Sequence, residues 1–164
     1  MPTPDIVKRF ALSKRKYFIY NVKFVCGMQK NEFKGDECSA ILSSGIYSTE
    51  VNILNFGGKE VSIVKVFIPV VVNNKAIARE PKTHGPVSAE KVVLKGLHAT
   101  MDDCCKINEM LKELKADEHL KIGFIEIISP IELEVYGVYS VTDMGQQHPT
   151  VDVVQVQGKT LSIG

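Results

Sequence analysis

Val61-Ser-Ile-Val-Lys-Val-Phe-Ile-Pro-Val-Val-Val72 constrains the fold more than any other stretch. β-Branched and aromatic residues dominate it, which suits a pleated, packed strand and disfavours a helix. Left uncovered, Val66 to Val72 is an aggregation hazard, so the fold must bury it. Pro69 has no N–H for a ladder and therefore marks a strand end, a bulge or an edge position.

Other segments repeat the β signal. In Tyr17-Phe-Ile-Tyr-Asn-Val-Lys-Phe-Val-Cys26, Phe18, Tyr20, Val22, Phe24 and Cys26 share one face, and Asn21 and Lys23 the other. This is the alternation of a half-buried antiparallel strand. Strands are also expected over 46–55, 91–94, 122–128, 133–141 and 151–156. Gly57-Gly58, between Asn55 and Glu60, reads as a positive-φ turn joining strands 46–55 and 61–72 into a hairpin. Polar loops are expected from Gln29 to Ser39 and from Asn73 to Ser88, with a turn at 145–149. The connection from Asn73 to Ser88 is long enough to suggest binding or a crossing between sheets.

Ala99-Thr-Met-Asp-Asp-Cys-Cys-Lys-Ile-Asn-Glu-Met-Leu111 reads as the start of a helix. Thr100 suits the N-cap, and Asp102 and Asp103 suit the first turn beside the positive end of the helix dipole. Met101, Cys104, Ile107, Leu111 and Leu114 then form a core-facing stripe, with Cys105 on the opposite side. The expectation is a mainly β chain, an antiparallel β-sandwich with one α-helix at about residues 101–115. A basic, flexible arm at 1–16 would precede a single domain at 17–164.

Composition limits the function. At 164 residues the chain suits one domain, and its net charge of +1 provides no field to recruit nucleic acid. No apolar stretch is long enough to span a membrane, and the N-terminus lacks the apolar core of a signal peptide. A cytoplasmic location follows as an expectation, and a reducing compartment predicts free thiols at Cys26, Cys38, Cys104 and Cys105. Cys26 with Cys38 is left open as a pair.

Candidate site residues are few. On the strand 46–55, Glu50 and Asn52 share a face suited to a sugar, a peptide or a partner subunit. In the long connection, Arg79, Glu80 and His84 form a charged cluster at a position where loops bind ligands. A low-ranked alternative is a metal- or thiol-dependent enzyme centred on His98, Asp102, Cys104 and Cys105. Against it, eleven residues separate Cys26 from Cys38, where structural zinc sites use a C-x₂₋₄-C knuckle. Phosphate-loop, G-x-G-x-x-G, G-x-S-x-G and H-E-x-x-H motifs are all missing from the sequence. No cofactor and no catalytic residue is assigned.

Three segments carry a resemblance: Gly45-Ile-Tyr-Ser-Thr-Glu-Val-Asn-Ile53, Ala99 to Cys105, and Gly123-Phe-Ile-Glu-Ile127 with Glu134-Val-Tyr-Gly-Val-Tyr139. On these, residues 17 to 157 resemble a group of small, uncharacterised bacterial β-sandwich proteins, which implies a bacterial cytoplasmic context. Asn52-Ile-Leu-Asn-Phe-Gly57 and the later strand pair are more faintly similar to the soluble sensory rhodopsin transducer family. That likeness implies a non-enzymatic, homo-oligomeric β-sandwich used for binding, with a protein or small molecule as ligand. The helix at 101–114 and the basic arm are departures from it.

Overall fold

The structure, a computed structural model, describes residues 16–30, 42–143 and 149–162. The expected arm up to Arg15, most of the loop after Gln29 (with Cys38), and most of the turn at 145–149 lie outside the described residues. Within them the chain is mainly antiparallel β with one short α-helix, the class expected from the sequence.

The strands are β1 (Lys16–Gln29), β2 (Gly45–Leu54), β3 (Val61–Val72), β4 (Lys75–Ala76), β5 (Ser88–Leu94) and β6 (Ala99–Asp102). Helix α1 (Cys104–Met110) and a 3₁₀ turn (Lys112–Leu114) follow. They lead into β7 (Lys121–Ser129), β8 (Glu134–Thr142), β9 (Thr150–Gln155) and β10 (Lys159–Ser162). Neighbouring strands run in the order β4-β3-β7-β1-β2-β8-β9, with β5 beside β3, β6 beside β2 and β10 beside β1. The path is open at both ends.

β1 is the shared spine of two ladders. Over Phe18 to Cys26 it pairs with β7, which continues into β3, β5 and β4. At Gly27 to Gln29 it pairs with the start of β2, which continues into β8 and β9 and takes β6 on its other edge. The alternation read from the sequence therefore faces one common core. Tyr20, Val22, Phe24 and Cys26 of β1 meet Val51 and Ile53 of β2, Ile63 and Phe67 of β3, and Ile107 of α1. The opposite side of the first ladder buries Tyr17, Val64, Val66 and Ile128 as a second cluster, so β3 is covered on both faces. Its high content of β-formers reflects that double burial. Pro69 sits at a register shift between Pro69 and Val71, the bulge that its missing N–H favours.

Three local expectations are corrected. First, β2 and β3 do not form a hairpin, because each is already paired on both edges, by β1, β6 and β8 for β2 and by β4, β5 and β7 for β3. The segment between them crosses from one ladder to the other, held by the buried Asn55. Its Nδ2 donates to the carbonyls of Lys59 (2.8 Å), Lys95 (3.1 Å) and Leu94 (3.2 Å). Its Oδ1 accepts from the amide of Gly57 at 3.0 Å. Among the described glycines only Gly27 has a positive φ, so Gly57 and Gly58 are not there for left-handed backbone. Close approach instead requires the neighbouring Gly96, where a Cβ would run into the Gly58 backbone, while Gly58 itself has open space.

Second, the helix starts later than Thr100. Ala99–Asp102 is a strand paired to β2, and the cap is Asp103, whose carboxylate accepts from the Lys106 amide at 2.9 Å. The stripe shrinks to Ile107 and Leu111, which are fully buried, whereas Cys104 and Leu114 are half-buried and Met101 is exposed. Third, Cys26 and Cys104 are not thiols but a disulfide. The argument from a reducing compartment fails for this pair.

Candidate functional site

The corner from β6 into α1 ties the two ladders together residue by residue. The inner face of β3 carries Lys65, a lone cation in a strand of apolar neighbours, and burial demands partners for it. Asp102 supplies one, with Oδ1 2.6 Å from Lys65 Nζ, and Glu90 of β5 supplies another, also at 2.6 Å. Lys106 of α1 reaches the second oxygen of Glu90 at 2.9 Å. Burial pushes the Asp102 carboxyl above the usual aspartate range, and Lys65 offsets only part of that. At Glu90 burial acts in the same direction, but Lys65 and Lys106 outweigh it and hold the carboxyl low. Asp102 Oδ2 is buried and has no hydrogen-bond partner.

Two residues on, Cys104 bonds Cys26 of β1 across a sequence separation of 78. The bond lies where β2 leaves β1 for β6. There the Thr49 amide donates to Cys104 Sγ at 3.3 Å, and the Thr49 hydroxyl donates to the Val25 carbonyl at 2.9 Å. Cys105 is an exposed free thiol.

These contacts show how the alternative metal or thiol set stands. Asp102 is committed to Lys65 and Cys104 to Cys26, while Cys105 points to solvent and His98 is exposed with Nδ1 2.8 Å from the Gly96 carbonyl. The ligating atoms that do gather among the described residues are those of Asp117, Glu118 and His119. His119 Nδ1 contacts Asp117 Oδ1 at 2.9 Å, and the neighbouring Lys121 is buried, its ammonium donating to the Asp117 carbonyl. Burial pulls the Lys121 pKa down.

The two candidate binding groups fall on different ladders. Arg79, Glu80 and His84 lie in the connection between β4 and β5, where no salt bridge among the described residues uses them; His84 Nδ1 contacts the Gly85 carbonyl at 2.9 Å. Glu50 and Asn52 lie on the outward face of β2, and the alternation expected there holds: Thr49, Val51 and Ile53 are buried on the other side.

Register extends that outward face across three strands. Glu50 stands beside Val138 of β8, which stands beside Val153 of β9. Asn52 aligns with Tyr136 and Gln155 in the same way, and Ser48 with Ser140 and Val151. Val151 and Val153 are 59% and 60% exposed, and Ile46 on the same face is 53% exposed. β9 is also a sheet edge, pairing only with β8 among the described strands. The sequence shows Val151 and Val153 as strand residues but not that their strand is an edge. Lys65 could have been flagged as the single charge inside Val61–Val72.

No family model matches the chain, and no curated protein matches it. Among solved structures it is similar to the crystal structure of Thermotoga maritima 1070, at 12% sequence identity over 88% of this chain and 94% of that one, with a TM-score of 0.47.

Proposed function

We propose that this protein is a non-enzymatic interaction module that assembles as a homo-oligomer through the β9 edge and the outward face beside it. The observation that carries the reading is the pair of exposed valines, Val151 and Val153, on an edge strand. Natural edges are blunted by lysine, proline or a bulge, because unpaired N–H and C=O groups template another strand. Thr150-Val-Asp-Val-Val-Gln155 has neither lysine nor proline, and Asp152, its single charge, points to the opposite face from the two valines.

The edge is self-complementary. Two copies paired antiparallel about Val153 place the two Val153 side chains opposite each other and each Val151 opposite a Gln155. Cross-strand side-chain pairs such as these contribute a few tenths to about 1 kcal/mol each. Glu50 and Asn52 then form the polar part of the face, with Val138 between Glu50 and the edge and Tyr136 between Asn52 and the edge.

Analytical ultracentrifugation of the wild type and of Val153→Lys tests this. The wild type is expected to sediment as a dimer or larger species and the variant as a monomer with an unchanged far-ultraviolet circular dichroism spectrum. A monomeric wild type, or a variant that stays associated, overturns the reading.

A further inference from the structure

The opposite face of β9 borders a cavity of about 280 Å³. Tyr47, Val25 and Val141 line its floor with Tyr139, and Thr150 and Asp152 stand at its β9 side. Register explains the grouping. Tyr47 aligns with Val141 and Thr150, and Thr49 with Tyr139 and Asp152, so these side chains share the inward face where the second ladder runs past the edge of the first. The volume falls just below typical ligand sites, which run from roughly 300 to 1,000 Å³, and its mixture of apolar wall and few polar groups is the usual one.

Both phenol rings are fixed in place. The Tyr47 hydroxyl donates to the Ser43 carbonyl at 2.6 Å, and the Tyr139 hydroxyl to the Lys23 carbonyl at 2.8 Å. Gly137 permits the second arrangement: a Cβ there would lie 2.7 Å from the Tyr139 hydroxyl and 2.9 Å from its ring carbons. The rings are thus held by protein contacts that a ligand need not supply.

The electrostatics have one sign. Among the described residues, those that line the cavity include a carboxylate, Asp152, and neither lysine nor arginine. Asp152 forms no salt bridge among the described residues. Burial raises the Tyr139 phenol pKa and the Asp152 charge raises it further; at Tyr47 burial is joined by Asp143. Aromatic faces present negative charge to a ligand and attract cations by about 0.5–2 kcal/mol. An anion would meet Asp152 with no compensating cation among the described lining residues, and a neutral apolar molecule would leave the carboxylate unused.

We propose that this cavity binds a small organic ammonium ion, with its apolar body between Val25, Tyr47 and Val141 and its cationic head against the Tyr139 ring and the Asp152 carboxylate. Thr150 and Asp152 point to the opposite face of β9 from Val151 and Val153, so the site needs neither valine, although it shares the β9 strand with the proposed assembly.

The test is a nuclear magnetic resonance titration of the ¹⁵N-labelled full chain with three probes of similar bulk: benzyltrimethylammonium, benzyl alcohol and phenylacetate. The cation is expected to saturate, with shift changes centred on Tyr47, Tyr139, Val141 and Asp152, and to bind at least about tenfold more tightly than the other two, about 1.4 kcal/mol. Asp152→Asn, at an exposed position, is expected to keep the wild-type spectrum elsewhere and to lose about that tenfold. Equal binding of alcohol and cation, preference for phenylacetate, no saturation by the cation, or an unchanged affinity in Asp152→Asn overturns the proposal. Repeating the titration on Val153→Lys reads the cavity separately from assembly.

Discussion

The sulfurs of Cys26 and Cys104 are bonded at the point where β1 and β2 part, so a covalent link takes over where the backbone ladder stops. β2 pairs with β1 only through Gly45, Ile46 and Tyr47, and with β6 from Val51 onward. Between these, Thr49 has no strand on that side; its amide turns to Cys104 Sγ and its side chain to Val25. The disulfide therefore fixes the start of α1 to the spine strand that both ladders share.

Breaking that link has a calculable cost. The closed loop spans a sequence separation of 78 residues, for which the chain-entropy model gives about 4.5 kcal/mol, and measured values are commonly about 2–4. Cys104→Ser is expected to lower the unfolding free energy by about 2–4 kcal/mol in urea denaturation. Reductant should lower the wild type by a similar amount and leave Cys104→Ser unchanged. A wild-type midpoint indifferent to reductant would show that the bond contributes nothing.

Lys65 is expected to be the most sensitive charged position. Its side chain is 3% exposed, its ammonium lies between Asp102 and Glu90, and the Asp102 side chain is 1% exposed. Lys65→Met leaves Asp102 as a buried carboxylate without its cation, at a cost of about 3–5 kcal/mol. Asp102→Leu alone leaves Lys65 with Glu90 and should cost less. Lys65→Met with Asp102→Leu removes both buried charges, so its loss should fall well short of the sum of the two. Urea denaturation of the four proteins gives the coupling directly. Additive losses would mean that the pair is not coupled.

The strands were legible in the sequence because two-residue alternation is a local property. The bounds of β3 match the stretch Val61–Val72, and the buried side of β1 is the one that Phe18, Tyr20, Val22, Phe24 and Cys26 mark, although the end of that strand near Phe18 is only partly covered. Pairing was less legible because it depends on contacts far apart in the chain. Asn55-Phe-Gly-Gly58 has the composition of a hairpin turn, yet the hydrogen bonds of Asn55 to Leu94 and Lys95 reach a segment forty residues on and make it a crossover. The helix start was misplaced because Thr100 and Asp103 both satisfy capping rules, and only the pairing of Ala99–Asp102 with β2 decides between them. β4 and β10 are too short to carry a periodic signal. Of the candidate site, Glu50 and Asn52 could be read from alternation, whereas Tyr139 and Asp152 become neighbours only through the β8–β9 register.

Gly27 and Gly58 provide a matched test of where glycine is required. Gly27 lies in β1 just before the turn of the ladder toward β2, with φ at +102°. A Cβ there would collide with the backbone carbonyl of His119, in a segment bound to Met28 through the Met28 amide to the Glu118 carbonyl (2.8 Å) and the Leu120 amide to the Met28 carbonyl (3.1 Å). Gly27→Ala thus combines an unfavourable backbone region with a clash against backbone that cannot rotate away, and is expected to cost about 2–4 kcal/mol. Gly58 has no atom within 4 Å of an added Cβ and no positive φ. Gly58→Ala is expected to be neutral or to stabilise by up to about 1 kcal/mol, because alanine restricts the unfolded chain. Thermal unfolding of the two variants should therefore move the midpoint down for Gly27→Ala and leave it level or raised for Gly58→Ala; equal shifts would contradict the close approach of β1 to the segment before β7.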